Sequence, residues 1–378
     1  MNWFGRKAGR SAARPLLWRA WQGAPSAGDW PRSYEAQVRD GYLANPIAQR
    51  AVRLVAECVA WAPVYAHEAS TASARAVALV APALLETVAS QLLLHGNAFV
   101  QLLPDAAGEP AELFALRPER VKIEADAGGW PVAYGYKAGE AKTRIAARDG
   151  LGRPAIAHLK AMHPLDDHYG LGCLGAAAGA VAVHNAAARW NKALLDNAAR
   201  PSGALVFDPH DHKAALSAEQ FDRLRDEIEA EFSGAQHAGR PMLLEGGLKW
   251  QAMGLTPADM DFAGLKASAA REIALAFGVP PMLLGLPGDS TYANYREANR
   301  ALWRLTVLPL SAKILGGIGA ALGAWWPGTA LAVDVDQVTA LSEDRERLWA
   351  QVSAAGFLSD GEKREMLGFD KAQAGEGQ

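Results

Sequence analysis

The densest run of potential ligands in this 378-residue chain is "HPLDDHYG", which places His163, Asp166, Asp167 and His168 within six residues. Carboxylates and imidazoles at that spacing suit a hard divalent cation, and the chemistry that follows is a magnesium-dependent nuclease or hydrolase. Such a site needs further carboxylates from elsewhere, and the sequence singles none out. Acids and histidines ahead of a helix also serve as caps and turn residues. No GxxxxGK[ST], GxSxG or HExxH occurs, and "EGGLKW" reads as a hairpin turn rather than a phosphate cradle. Cys58 and Cys173 stand far apart without CxxC spacing, which argues against a disulfide framework or zinc and for a reducing compartment. The expectation is a protein that is not an enzyme, with no cofactor and no metal.

The elements around these residues read as mixed helix and strand, an α+β chain. "NPIAQRAVRLVAECVAW" has Asn45 as a cap, Pro46 at the first helical position and apolar residues at Ile47, Val52, Val55 and Val59. A strand is expected in "APVYAHE", a helix over 82–95 closed by Gly96, and a strand in "NAFVQLLP". β-Branched and aromatic runs between Leu113 and His163, with turns at Gly128-Gly129 and 137–140, predict a small sheet. A long helix is predicted over 174–199; its alanines and glycines allow close packing, on a copy of itself as well as within the domain. Ser217 with Gln220, and Ser359 with Glu362, make capping boxes opening helices. "RPMLLEGGLKWQAM" predicts a hairpin around Gly246-Gly247, and 259–277 a helix stopped by Gly278 and Pro280-Pro281. Residues 295–322 predict a helix kinked at Pro309, followed by two short helices.

Half of the residues are hydrophobic, enough for a sizeable core. With 38 basic and 41 acidic side chains the formal charge is −3, without the cationic excess of proteins that grip DNA phosphates, so any DNA contact is expected to be loose and the duplex weakly bound. Arg6, Lys7, Arg10, Arg14 and Arg19 precede any acid; a transit peptide would share the pattern, but Pro15, Trp18, Trp21 and Pro25 favour a loose basic arm. The uncharged stretch "ILGGIGAALGAWWPGTALAV" has the length of a membrane span, yet its glycines, Pro327 and the "PGT" turn predict a buried helix end and a strand, with no membrane contact.

Several stretches together resemble the HK97-type phage portal proteins, including those of gene-transfer agents: "NPIAQRAVRLVAECVA", "HGNAFVQLL", "ALRPERVKIE", "HYGLGCLGAAAGAVAVHNAAARWNKALLDNAARPSGALVF", "REIALAFGVPPMLLGLPGDSTYANYREANRALWRLTVLPL" and "GFLSDGEKREMLGF". The FGVPP…LLG…TYAN run and the final S-x-x-E-x-R-x-x-L-G are the most specific. The resemblance implies a homo-oligomeric ring, usually of twelve copies, at one capsid vertex of a virion or phage-like particle. Double-stranded DNA would pass through it, and its partners would be the large terminase, a head-tail adaptor and the major capsid protein. By position, 1–44 would be a basic arm and lead-in, 45–173 wing, 174–200 the first stem helix, and 201–256 an α/β clip. The second stem helix would be 257–278, the tunnel loop 279–294, the kinked wing helix and strand 295–334, and a short helical crown 335–378.

In that scheme Leu284, Gly285, Leu286, Pro287, Gly288, Asp289, Ser290, Thr291 and Tyr292 form the part of the tunnel loop that lines the channel. The same stretch also reads as an ordinary inter-helix connection. Arg189, Lys192 and Asp196, three or four apart, are suited to pairing within their helix or to bridging neighbouring subunits. Asp222, Asp226, Glu229 and Glu231 form either a solvated helix face or a docking surface for motor and adaptor.

Overall fold

The structure, a computed structural model, describes residues 33–68, 70–196, 203–207, 217, 219–220, 222–223, 226, 248–252, 261–286 and 292–367. Helix α1 (Tyr34–Gln37) runs into a π turn at Val38–Leu43, and Asn45 then opens α2 (Pro46–Ala60). Asn45 Oδ1 accepts from the amides of Ile47 at 3.1 Å and Ala48 at 3.0 Å, while Pro46 occupies a position that needs no amide partner. Val52, Val55 and Val59 are buried along one side of α2, as the periodicity predicts.

Strand β1 (Val64–Ala66) is followed by α3 (Thr71–Leu79), which the sequence pattern does not announce because it buries only Ser73 and Ala76. Helix α4 (Pro82–His95) closes on Gly96 at φ 80°. Only glycine fits there: a Cβ would collide with the backbone of Leu171 and Gly172 as well as straining the left-handed conformation.

The small sheet expected over 113–163 is in fact two antiparallel three-stranded sheets. One is built from β2 (Asn97–Pro104), β3 (Pro110–Leu116) and β7 (Ile156–Lys160), with β2 in the centre. The other is β4 (Val121–Ala125), β5 (Pro131–Ala138) and β6 (Ala141–Ala146), in sequence order. Phe99, Leu116 and Ile156 of the first sheet meet Val121, Ile123 and Tyr134 of the second in a shared apolar layer. The opposite side of the first sheet, with Ala98, Val100 and Leu159, joins the main helical core.

Between the sheets and the helix that follows lies a buried polar knot. Asn97 is fully buried; its Oδ1 accepts from the Gly170 amide at 2.7 Å and its Nδ2 donates to the Gly170 carbonyl at 3.2 Å. That pair orients the amide, so His158, whose Nε2 lies 3.2 Å from Asn97 Oδ1, must donate from Nε2 as a neutral ring. His158 also stacks on Phe99 with centroids 4.3 Å apart.

The chain continues through α5 (Cys173–Asp196), β8 (Gly203–Phe207), β9 (Leu248–Ala252) and α6 (Phe262–Ala276). β8 pairs with β9 from Gly203↔Ala252 to Phe207↔Leu248, so the second arm of the expected hairpin is a strand. Its turn at Gly246-Gly247 lies outside the described residues. The predicted kinked helix is α7 (Tyr292–Leu302) and α8 (Leu308–Leu322), joined by a π turn at Trp303–Val307. Pro309 explains the interruption: without an amide it leaves Leu305 no α-helical donor, and just before it the Leu308 amide reaches back to the Trp303 carbonyl.

Segment 293–322 is long and apolar enough to cross a bilayer. Within it, Ile314, Leu315, Ile318 and Leu322 are buried in the protein's own core, and β10 (Leu331–Val333) then pairs with β1. This is the buried helix end and strand that the glycines and Pro327 predict. At the bend, the Trp325 indole donates to the Gly108 carbonyl and that of Trp326 to Glu109 Oε2, both at 2.8 Å, with Arg153 and Arg75 each 4.8 Å over a ring. Helices α9 (Ser342–Ala354) and α10 (Asp360–Met366) end the described chain, α10 behind the predicted Ser359–Glu362 capping box.

Burial, with smaller contributions from Lys160, His168 and His95, pushes the His158 pKa down to about 3. Its folded value lies below the unfolded one of about 6.5, so its stabilising contribution is complete above pH 6.5 and is lost as pH falls toward 3, by up to about 1.4 kcal/mol per pH unit. Urea unfolding between pH 7 and 5 should show this loss, and His158→Gln, which keeps a donor toward Asn97, should flatten it.

Candidate functional site

The segment after α6 is fastened before it leaves the core. Phe277 and Val279 are both 2 % exposed, and the Val279 amide donates to the Ala274 carbonyl at 2.9 Å, closing the helix. Between them Gly278 adopts φ 65°, and its carbonyl accepts from Thr306 Oγ1 at 2.7 Å. A Cβ on Gly278 would stand 2.7 Å from that same oxygen. The hydroxyl thus ties the base of the segment to the π turn of the long helix.

Pro280-Pro281 then fixes the backbone direction, and Pro281–Leu284 forms a 3-10 turn capped by Gly285 at φ 72°. The Gly285 amide donates to Met282 and that of Leu286 to Pro281, at 3.1 and 3.3 Å. Leu283 and Leu284 pack half-buried against the main core. Of the expected loop residues, Leu284 and Gly285 therefore belong to an anchored turn, with Leu286 just beyond it. Tyr292 is the first residue of α7. Pro287, Gly288, Asp289, Ser290 and Thr291 lie outside the described residues.

On the far side, α7 is strapped to α9. Arg300, 8 % exposed, pairs with Glu297 at 2.9 Å and with Glu343 at 2.7 Å, and Arg296 pairs with the other oxygen of Glu343. Sequence reasoning missed this strap. The available signal was two arginines at i and i+4 in "REANR" and an acidic run in "LSEDRER", but nothing local says that the two meet.

Helices α5 and α6 pack as an antiparallel pair, since Trp190 near the end of α5 stacks on Phe262 at the start of α6, with centroids 6.0 Å apart. The middle of α5 is pinned by Asn45, whose Nδ2 reaches Asn185 Oδ1 at 2.9 Å and His184 Nδ1 at 3.2 Å. Asn185 in turn donates to the Asp40 carbonyl at 2.8 Å. Burial first, and Lys266 second, lower the His184 pKa, so the ring accepts as a neutral base. Arg189 and Lys192 are exposed on α5, and Asp196 is its last described residue, with its side chain outside the description.

The Ser217–Gln220 box is present: the Ser217 amide donates to Gln220 Oε1 at 3.0 Å and the Gln220 amide to Ser217 Oγ at 3.2 Å. Asp222 and Asp226 are exposed in helical backbone, while Glu229 and Glu231 lie outside the described residues.

The His163–His168 run does not assemble a metal site. Asp166 Oδ1 accepts from the amides of His168 at 2.7 Å and Tyr169 at 3.0 Å, and His163 Nδ1 accepts from the Leu165 amide at 3.1 Å. The Asp167 carbonyl accepts from Lys160 Nζ. These are turn bonds, and among the described residues no three His, Cys, Asp or Glu side chains converge as metal ligands. Nothing in this geometry supports the nuclease alternative: the residues shape the entry to α5.

A family model described as phage portal protein matches residues 46–368. A chain in the virion of a native gene transfer agent particle is 45 % identical, over 92 % of this chain and 97 % of that one, with a TM-score of 0.69. A chain from the neck of a native particle of that kind, solved with C12 symmetry, is 46 % identical over 91 % and 95 %, with a TM-score of 0.68. The probable portal protein of Streptomyces phage phiC31 is 27 % identical over 262 residues, 64 % of this chain and 52 % of that protein.

Thr306→Val should cost about 1 kcal/mol, one hydrogen bond, and Gly278→Ala about 2 kcal/mol or more from strain and contact, both read by thermal unfolding. Glu343→Gln removes the charge facing a nearly buried arginine and should cost about 1–3 kcal/mol, with earlier hydrogen exchange in α9.

Proposed function

The chain belongs to the phage portal protein family, and from that premise we propose how its parts share the work of a DNA conduit. It forms a portal ring at one vertex of a capsid, as its likeness to gene-transfer-agent neck chains supports; the C12 symmetry of one such neck accords with twelve copies. In our reading the double-stranded duplex enters through this ring during packaging and leaves through it on delivery.

The observation that carries the reading is a segment anchored hard at its root and almost uncharged beyond it. Phe277, Val279 and the Thr306 hydroxyl hold the root, the double proline sets its direction, and from Val279 to Asn294 the only charge is Asp289. A duplex sliding past must not be gripped. Each phosphate neutralised by a lysine releases counterions and strengthens binding, so a cationic lining would stall passage. Leu286 to Tyr292 are the residues we assign to the lining.

Helices α5 and α6 serve as the stem, and exposed Arg189 and Lys192, with Asp196, bridge neighbouring copies head to tail as cyclic symmetry requires. The β8–β9 pair and the helix with Asp222, Asp226, Glu229 and Glu231 form the clip, which docks the large terminase and later the head-tail adaptor. The remaining helices and sheets make the wing, in contact with the major capsid protein, and α9 and α10 are a short crown. The Arg296 and Arg300 strap to Glu343 supports a crown mechanically joined to the helix behind the loop.

Deleting Leu286 to Ser290 should leave rings visible by electron microscopy while abolishing DNA packaging or retention. DNA-filled particles from the deletion would show that this segment is not the channel lining.

A further inference from the structure

The outer face of the β4–β5–β6 sheet carries cations that neither the core nor the loop uses. Register fixes their layout: Lys122 stands opposite Gly135 and Gly135 opposite Arg144, and two residues further along β5 Lys137 stands opposite Lys142. Residues in register share a face and alternate residues share it too. These four therefore lie on the side away from Ile123 and Tyr134, which pack inward. All four are exposed.

The nearby carboxylates are Glu124, 2.7 Å from Arg144, and Glu140 in the β5–β6 turn. The Glu124–Arg144 pair reaches across β5 beside Gly135, where a Cβ would lie 3.7 Å from Glu124 Oε1. Lys122, Lys137 and Lys142 make no ion pair among the described residues.

Stability does not explain the arrangement. Like charges directly opposite each other weaken a sheet. Lysines on an edge strand discourage unwanted pairing, which suits Lys122 and Lys142 on the outer strands and Lys137, which stands past the end of β4 at Val121; but one cation serves that purpose, and Lys137 and Lys142 set two like charges directly opposite each other. What the face offers is a cluster of positive charge: Lys137 and Lys142 are about 5 Å apart across one strand pair, Arg144 is about 7 Å along β6 from Lys142, and Lys122 is about 10 Å from Arg144 with Gly135 between them, spacings on the scale of a phosphate repeat. Lys122, Glu124, Ala133, Gly135, Lys137, Lys142, Arg144 and Ala146 include no aromatic to stack an exposed base and no large apolar anchor of the kind protein interfaces bury.

We infer that this face binds the phosphate backbone of double-stranded DNA, without reading its sequence, at a site separate from the segment after the double proline. The interaction is local to one sheet and so is compatible with a net negative chain.

The test uses full-length rings and a short fluorescein-labelled duplex, with anisotropy followed across a salt series. Lys122→Ala/Lys137→Ala/Lys142→Ala should bind at least tenfold more weakly at low salt, with a log–log salt slope smaller by about 2.7. The corresponding triple arginine variant should bind as wild type does, and so should rings lacking Leu286 to Ser290, whatever becomes of their packaging. Unchanged affinity and slope in the alanine variant would overturn the inference. So would competition by poly-glutamate as effective as by unlabelled duplex, which would point to an acidic protein partner instead.

Discussion

The hydroxyl of Thr306 on the carbonyl of Gly278 is the joint from which the geometry of the loop follows. It links the end of α6 to the long helix at the one residue whose left-handed backbone turns the chain toward the double proline. The bond itself is worth only about 1 kcal/mol. Phe277 and Val279 beside it, almost wholly buried, contribute about 2 kcal/mol each by area. Packing therefore supplies the strength and the hydrogen bond supplies the direction. A base built this way holds a short segment at a defined angle without any need for the segment itself to be stiff.

Electrostatics divides the molecule along the same line. The chain is nearly balanced, with a formal charge of −3, but its charges are not evenly spread. Arg300 is withdrawn from solvent and committed to two carboxylates, the loop keeps a single acid, and lysines without ion pairs among the described residues collect on one face of the β4–β5–β6 sheet. In the proposed reading the surface that slides is kept apart from the surface that holds, as a conduit for a polyanion requires, because both tasks on one surface would defeat each other.

Much of the fold was legible because its signals are local. Asn45 before Pro46, Gly96 after α4, and the Ser217–Gln220 and Ser359–Glu362 boxes each act within one helical turn and stand where the residue types place them. The buried stretch from Ile314 and the turn at Pro327 followed the same logic. What escaped needed long-range pairing. Strand β2 is separated from β7 by the whole second sheet, so one expected sheet became two. Trp325 and Trp326 find their acceptors 217 residues away, and Glu343 meets two arginines more than forty residues upstream. The His163–His168 run misled for the opposite reason: its residues are ligand types, yet His163 and Asp166 accept from backbone amides nearby, and among the described residues no three ligand side chains converge on a common point.

The π turn at Trp303–Val307 has a geometric consequence for everything upstream of it. Relative to an unbroken α-helix it holds one surplus residue, and one residue is about 100° of rotation. Helix α8 buries Ile314, Leu315 and Ile318, which fixes its azimuth in the core, so the surplus residue sets the heading of α7. Removing a single residue there would turn α7 about the helix axis by roughly a quarter turn, taking Arg296 and Arg300 away from Glu343. The side of α7 that meets α9 is thus written as a count of residues in the turn.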